Sequence, residues 1–231
     1  MFRSIVRELG IGLRVTALFA VVGGLLYPFA MTGVAQAAFH DKANGTLISD
    51  GSGTVIGAHL IGQSFYRTTK DASGVLIDQT VTDKAGNVHF VIDPKYFQSR
   101  PPAGAVVDPI DPKAMIPAYN PSSSGGSNLG PSNRALTARI EATVQDFRDN
   151  GLTGDVPIDL VTADFTGFDP DITEGAALFQ VPMVAAARHL DPGRLHQVVI
   201  DHLDGRSLLI FGEPHINVLD LNRALDGGAG R

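Results

Sequence analysis

The sequence contains no cysteine. That excludes disulfides, thiolate catalysis and cysteine-ligated metal together, and the chain needs no oxidising compartment although it would tolerate one. Positive charge is also short: 18 Lys and Arg face 24 Asp and Glu, a formal charge of -6. Arg3, Arg7 and Arg14 stand against Glu8 alone in residues 1–39, a net +2, which leaves -8 for residues 40–231. Nucleic-acid binding rests on Lys and Arg meeting phosphate, so such a surface gives it no support.

Recurrent catalytic patterns are missing as well. No Gly-x-x-x-x-Gly-Lys-Ser/Thr loop is present to cradle a triphosphate. Gly51, Gly53 and Gly57 approach a dinucleotide fingerprint, but the spacing is one residue too long and the segment reads as a turn. His196 and His202 stand six apart, on different faces of a helix, and the other histidines are scattered, so no metal-site spacing emerges. Ser124 and Ser127 lie outside any Gly-x-Ser-x-Gly elbow. Asp164, Asp169, Asp171 and Glu174 cluster without matching a calcium loop, which leaves an acidic, solvated loop capping the following helix. No catalytic, cofactor-binding or metal-ligating residue is expected.

What is present begins with an uncharged run of 25 residues from Val15 to Phe39, behind a basic leader. A bilayer core takes about 20 apolar residues and a signal-peptide core about 7–15, so the length favours a retained anchor. The competing reading is a leader cleaved after Ala35-Gln36-Ala37, as an exported hydrolase or small-molecule binding protein would need. In either case the positive charge before the run puts residues 1–14 on the cytoplasmic side and residues 40–231 outside. Thr16, Ala20 and Gly24 share a helical face at four-residue spacing, where another membrane helix could approach closely, although small residues are common in spans. Pro28 would kink or end the helix.

Beyond the span, the remaining chain is long enough for one well-buried domain and alternates short strands with helices, an α+β pattern. Residues 45–48 and 54–65, with glycines between them, read as early strands with a turn or bulge, and residues 83–87 as the turn of a hairpin between "GVLIDQTV" and "VHFVI". Six prolines between residues 100 and 121 exclude regular helix there. Leu136, Ile140, Val144 and Phe147 form one helical face, capped by Ser132 or Asn133 and ended by Gly151. "VPIDLVTADF" reads as a strand. Three helical pieces follow, begun by Thr173, Pro182 and Asp191-Pro192. "RSLLIFGEP" then reads as strand and turn, and "INVLDL" as a short terminal helix.

Six ordered strings, "LIGQSF" at 60–65, "YFQSRPP" at 96–102, "SGGSNLGPSN" at 124–133, "VPIDLVTADFTGFDPDIT" at 156–173, "ALFQVPMVAAAR" at 177–188 and "GEPHINVLDLNRAL" at 212–225, follow one N-terminal span. Together they resemble KdpC, the small single-span subunit family of the bacterial potassium-transporting Kdp ATPase, over essentially the whole chain. The chain departs from the family in an apparent insertion at 68–95, in Ala58 where a serine is usual, and in "TADFTGFDP", which places Asp164 and bulky Phe165 where smaller residues are usual. The resemblance implies a non-catalytic subunit in the cell membrane, binding no cofactor directly. It would join a P-type subunit that uses ATP and magnesium to a channel-like subunit that carries potassium, in contact with membrane lipid.

The stretch from Ser124 through Gly125, Gly126, Ser127, Asn128 and Leu129 to Gly130 is uncharged and rich in short hydrogen-bonding side chains. Its glycines permit backbone conformations closed to other residues. It is the candidate surface for docking on the channel-like subunit; bracing of the helix that begins near Pro131 is the alternative.

Overall fold

The computed structural model describes residues 2–70, 76–82, 88–103, 105–107 and 115–230. The chain divides into two compact units, Met1–Leu47 and Ile48–Arg231. The mixture of helices and strands is the α+β class expected.

The first unit is dominated by one continuous helix, Phe2–Ala38, long and apolar enough to cross a membrane. Its 37 residues would extend about 55 Å at 1.5 Å per residue, beyond a hydrocarbon core of about 30 Å. The helix therefore includes the basic leader. It comprises α1 (Phe2–Val21), a π-helical turn (Val22–Leu26) and α2 (Tyr27–Ala38), and a short α3 (His40–Ala43) follows. Pro28 does not end it: the helix continues, with Pro28 in the first turn of α2 directly after the π-helical turn. A proline ring clashes with the carbonyl four residues back, here that of Gly24, and the turn holding Gly24 is widened, with the Tyr27 amide donating to Val22 O.

In the second unit β1 (Leu47–Ser49) pairs with β2 (Val55–Ala58) around the Asp50–Thr54 turn, where Gly53 has φ 84. Gly51 and Gly53 are turn residues, as expected, and Gly57 lies in β2. Within 54–65 the strand is Val55–Ala58; the chain then turns, with the Ile61 amide donating to Ala58 O at 3.2 Å, and the Gly62 amide donates to Phe168 O. β3 (Thr68–Lys70) pairs antiparallel with β4 (Leu76–Asp78), and β5 (Thr80–Thr82) with β6 (Val88–Phe90). The second pair is the anticipated hairpin; its turn at 83–87 lies outside the described residues. β7 (Ala105–Val107) pairs with β8 (Met115–Pro117) within the proline-rich segment.

α4 (Arg134–Asp149) is capped by Asn133, whose side chain accepts from the Ala135 amide at 2.9 Å, and it buries Phe147. The strand predicted at 156–165 is absent. Ile158–Leu160 is a single 3-10 turn, because Asp159 points inward to accept from the Thr173 amide at 2.8 Å while Leu160 enters the core. β9 (Asp171–Ile172) pairs with β10 (Ile216–Asn217), aligning Ile172 with Ile216, both fully buried.

Two helices rather than three lie between these strands, α5 (Glu174–Arg188) and α6 (Pro192–Asp201). Thr173 caps the first and Asp191 the second. Pro182 is inside α5 on its exposed side, while Val181, Met183 and Val184 are buried and hold the helix through it. An interior proline costs about 3 kcal/mol in an isolated helix, so tertiary burial decides the outcome here. Leu195 and Val199 of α6, with Leu221 and Leu225 of α7 (Val218–Asp226), complete the core around α5. The strand predicted at 206–211 is instead a narrow exposed turn, with Leu208 and Leu209 both at positive φ.

Candidate functional site

The strings that stand far apart in the sequence converge on the loop Asp164–Asp169, whose carbonyl oxygens accept from separate segments. Thr166 O receives the Gly125 amide at 2.9 Å and the Ser124 hydroxyl at 3.3 Å. Gly167 O receives the Ala103 amide at 3.4 Å, Phe168 O the Gly62 amide at 2.7 Å, and Asp169 O the Ser99 hydroxyl at 3.1 Å. A side chain at Gly62 would sit 2.8 Å from Asp169 O, so only glycine fits this junction.

The loop holds its own shape through Asp164, which accepts from the Thr166 amide and hydroxyl and from the Gly167 amide at 2.8 Å. Partial burial disfavours the charged carboxylate, but these donors outweigh it and hold Asp164 below the ordinary carboxylate range. Asp169 pairs with Arg100 at 3.1 Å, and Arg100 also reaches buried Asp159 at 3.6 Å. The expectation of a solvated acidic loop capping the next helix is corrected in part: Asp164 and Asp169, both partly exposed, bind local amides and Arg100, Asp171 meets Asn217, and the cap of α5 is Thr173. Burial raises Asp171, with His215 opposing the shift.

Facing outward from this junction is Phe165, 86% exposed. A side chain at Gly126 would lie 3.6 Å from the Phe165 backbone, and at Gly125 it would meet nothing within 4 Å. Gly125, Gly126 and Gly130, which permit conformations closed to other residues, are not in the left-handed region; Asn128 is, at φ 52. Ser127 and Leu129 are half-buried, and Ser124, Asn128 and Gly130 are exposed. The segment therefore leans on the Asp164–Asp169 loop, while only Asn133 at its end caps α4. Thr16, Ala20 and Gly24 are all exposed in the N-terminal helix.

The preceding extended segment is held differently. Buried Asn222 accepts from the Phe97 amide and donates to Phe97 O, both at 2.9 Å. Buried Gln180 accepts from the Gln98 amide at 2.7 Å and donates to Gln98 O at 3.1 Å. Two side-chain amides thus replace two rungs of a β-ladder. Arg188 adds an ion pair to Asp226 at 2.8 Å and lies over the Tyr96 ring at 4.7 Å. Sequence reading missed Arg100, Asp159, Gln180 and Asn222. The available signal was a polar residue at a core position of an apolar helix, as in "LFQVP", but its partner was invisible.

A small cleft of about 50 Å³, open in part to solvent, lies between α4 and this segment. Phe90, Ile92, Pro102 and Leu160 form its apolar walls; Tyr66 and Arg139 are polar members. Tyr66 stacks on Phe90 at 4.6 Å. Burial, then nearby Asp78 and Asp146, push the Tyr66 hydroxyl up, with Arg139 opposing. Among the described residues no group of three or more His, Cys, Asp or Glu is placed to hold a metal ion.

The arrangement defines a class: an α+β domain organised around a backbone junction, in a chain whose N-terminal helix is long and apolar enough to span a membrane. The chain belongs to the KdpC family, the c chain of the K+-transporting ATPase, whose model matches residues 9–227. A potassium-transporting ATPase KdpC subunit from Methylobacterium nodulans is 44% identical over 209 residues, 90% of either chain. Another from Rhodopseudomonas palustris is 44% identical over 204 residues, 88% of this chain and 89% of its own length. A third, from Bradyrhizobium diazoefficiens, is 39% identical over 226 residues, 97% of this chain and 99% of its own length.

Proposed function

We propose that this chain joins and stabilises a potassium-uptake complex, linking a P-type subunit that hydrolyses ATP to a channel-like subunit that carries potassium. The Phe2–Ala38 helix is retained as a single-pass anchor in the cell membrane, in contact with lipid, with residues 1–14 cytoplasmic and residues 40–231 outside. ATP and magnesium act at the partner, and this chain supplies no catalytic group.

The observation that carries the reading, beyond family membership, is the surface formed by Ser124–Gly130 and Phe165. It combines exposed short polar side chains with one wholly presented aromatic, the composition of a contact patch with an apolar centre. We assign it to the channel-like subunit's outer face. Thr16, Ala20 and Gly24 supply a second contact, within the membrane, where small side chains let helices approach.

The test is affinity purification of the full tagged chain in mild detergent with mass spectrometry of its companions. Recovery with a P-type ATPase and a many-span channel-like protein is expected. Recovery alone, with a mature N-terminus at Ala38, would return the chain to the exported proteins.

A further inference from the structure

We infer that the carbonyl oxygens of Gly23 and Gly24 form an acceptor site inside the membrane, taken by an uncharged hydrogen-bond donor side chain on a membrane helix of another subunit; this rests on the reading of the chain as a membrane-anchored joining subunit. The N-terminal helix makes the site by its own irregularity. The Tyr27 amide donates five residues back, to Val22 O, where a regular helix would send it four back, to Gly23 O. The residue five ahead of Gly23 is Pro28, which has no N–H, and the same proline stands four ahead of Gly24. Gly23 O is thus left without either helical donor, and Gly24 O without its regular one.

Depth makes this matter. Gly23 and Gly24 follow Val15 by eight and nine residues, about 12–14 Å at 1.5 Å per residue, well inside a hydrocarbon core of about 30 Å. Acyl chains have no donor to give, and an unpaired carbonyl among them is costly. Both glycines are exposed, and a side chain at either would meet nothing within 4 Å, so the approach to their backbone is open.

The occupant follows by elimination. Residues 17–26 carry no side-chain donor, so a second copy inserted in the same direction brings only a donor-free level alongside. A helix of different sequence is required. A charged donor is expensive at this depth, which leaves the hydroxyl of Ser or Thr or the carboxamide of Asn or Gln. Glycine at the contact lets such a helix come close enough for a short side chain to reach the carbonyls.

The test places the full complex, and separately the chain alone, in phosphatidylcholine bilayers with carbonyl-13C, 15N-glycine. Solid-state NMR then selects Gly-Gly bonds, and the signal lost in Gly24→Ala is the Gly23 carbonyl. Its resonance should be hydrogen-bonded, downfield, in the complex and move upfield in the chain alone. Pro28→Ala restores an N–H to the helix and so competes with the partner's donor; retention of that variant in the complex should fall about threefold or more, with an unchanged melting midpoint. A diazirine side chain introduced at Ala20 should give adducts to one membrane helix of another subunit that carries Ser, Thr, Asn or Gln. An identical resonance with and without partners, undiminished retention of Pro28→Ala, or adducts to lipid alone or to a second copy alone would overturn the inference. Failure of the wild-type chain to co-purify with other subunits would remove the joining reading, and the inference with it.

Discussion

Residues 96–102 and 122–130 are both irregular, and they have opposite fates. In the first, the amides and carbonyls of Phe97 and Gln98 are buried and each meets a side-chain amide from a distant helix, Asn222 of α7 or Gln180 of α5. In the second, Gly125 and Ser124 share one acceptor, Thr166 O, and most of the segment faces solvent. Irregular backbone is structural where its hydrogen bonds are made inside and available for partners where they are not. The difference lies in where the polar groups go, since both stretches contain the small and cyclic residues that mark loops.

The strongest way to break the contrast is to unclamp the first segment. Asn222→Leu or Gln180→Leu leaves a buried N–H and C=O without partners and should cost about 2–4 kcal/mol, seen as a large fall in the melting midpoint of the full chain. Next, Gly62→Val forces a side chain against the backbone of Asp169 and should cost about 1–3 kcal/mol, with the same readout. An unchanged midpoint in either variant would refute the junction as described.

A smaller effect tests the loop that both segments touch. Asp164→Ala removes charge-assisted hydrogen bonds at a partly exposed site and should cost about 1 kcal/mol near neutral pH, after allowance for solvent screening. The native carboxyl lies below its unfolded value, so the contribution is complete above the ordinary carboxylate range near 3.9 and disappears as pH falls through the native value. Melting curves of wild type and variant should therefore converge in acid; a gap that persists there would show that the carboxylate's charge is not the cause.

The smallest effect on folding falls on the open segment. Gly125 is not in the left-handed region and a side chain there meets open space, so Gly125→Val should change stability by less than about 0.5 kcal/mol. The same variant should weaken retention in the complex. Loss of fold instead would make the segment a brace and erase the contrast with residues 96–102.

Local signals carried much of the fold. Asn133, Thr173 and Asp191 cap the helices they precede, because a capping side chain bonds to amides two or three residues ahead and needs nothing else. Pro182 misled, since the local rule that stops a helix was overridden by burial of Val181, Met183 and Val184. The apparent strand at 156–165 failed for a related reason: β-rich side chains specify a strand only when a neighbour is available to pair; residues 206–211 instead fold back on themselves, Ser207 bridging Phe211. At the candidate site, Ser124–Gly130 was visible by composition and Phe165 as a bulky departure in its loop, but the shared acceptors that bring them together were not.

By itself the sequence determined the apolar span, the helix starts, the absence of recognisable catalytic motifs and the ordered strings of its family, all properties of neighbours along the chain. Only the tertiary structure decided that Gly62, Ser99, Ala103 and Gly125 would meet on one loop, that Asn222 and Gln180 would complete a backbone more than eighty positions away, and that four apolar residues would be left at an exposed turn. Hydrogen bonds and burial act through space, and which distant groups come within their reach is a property of the packed chain.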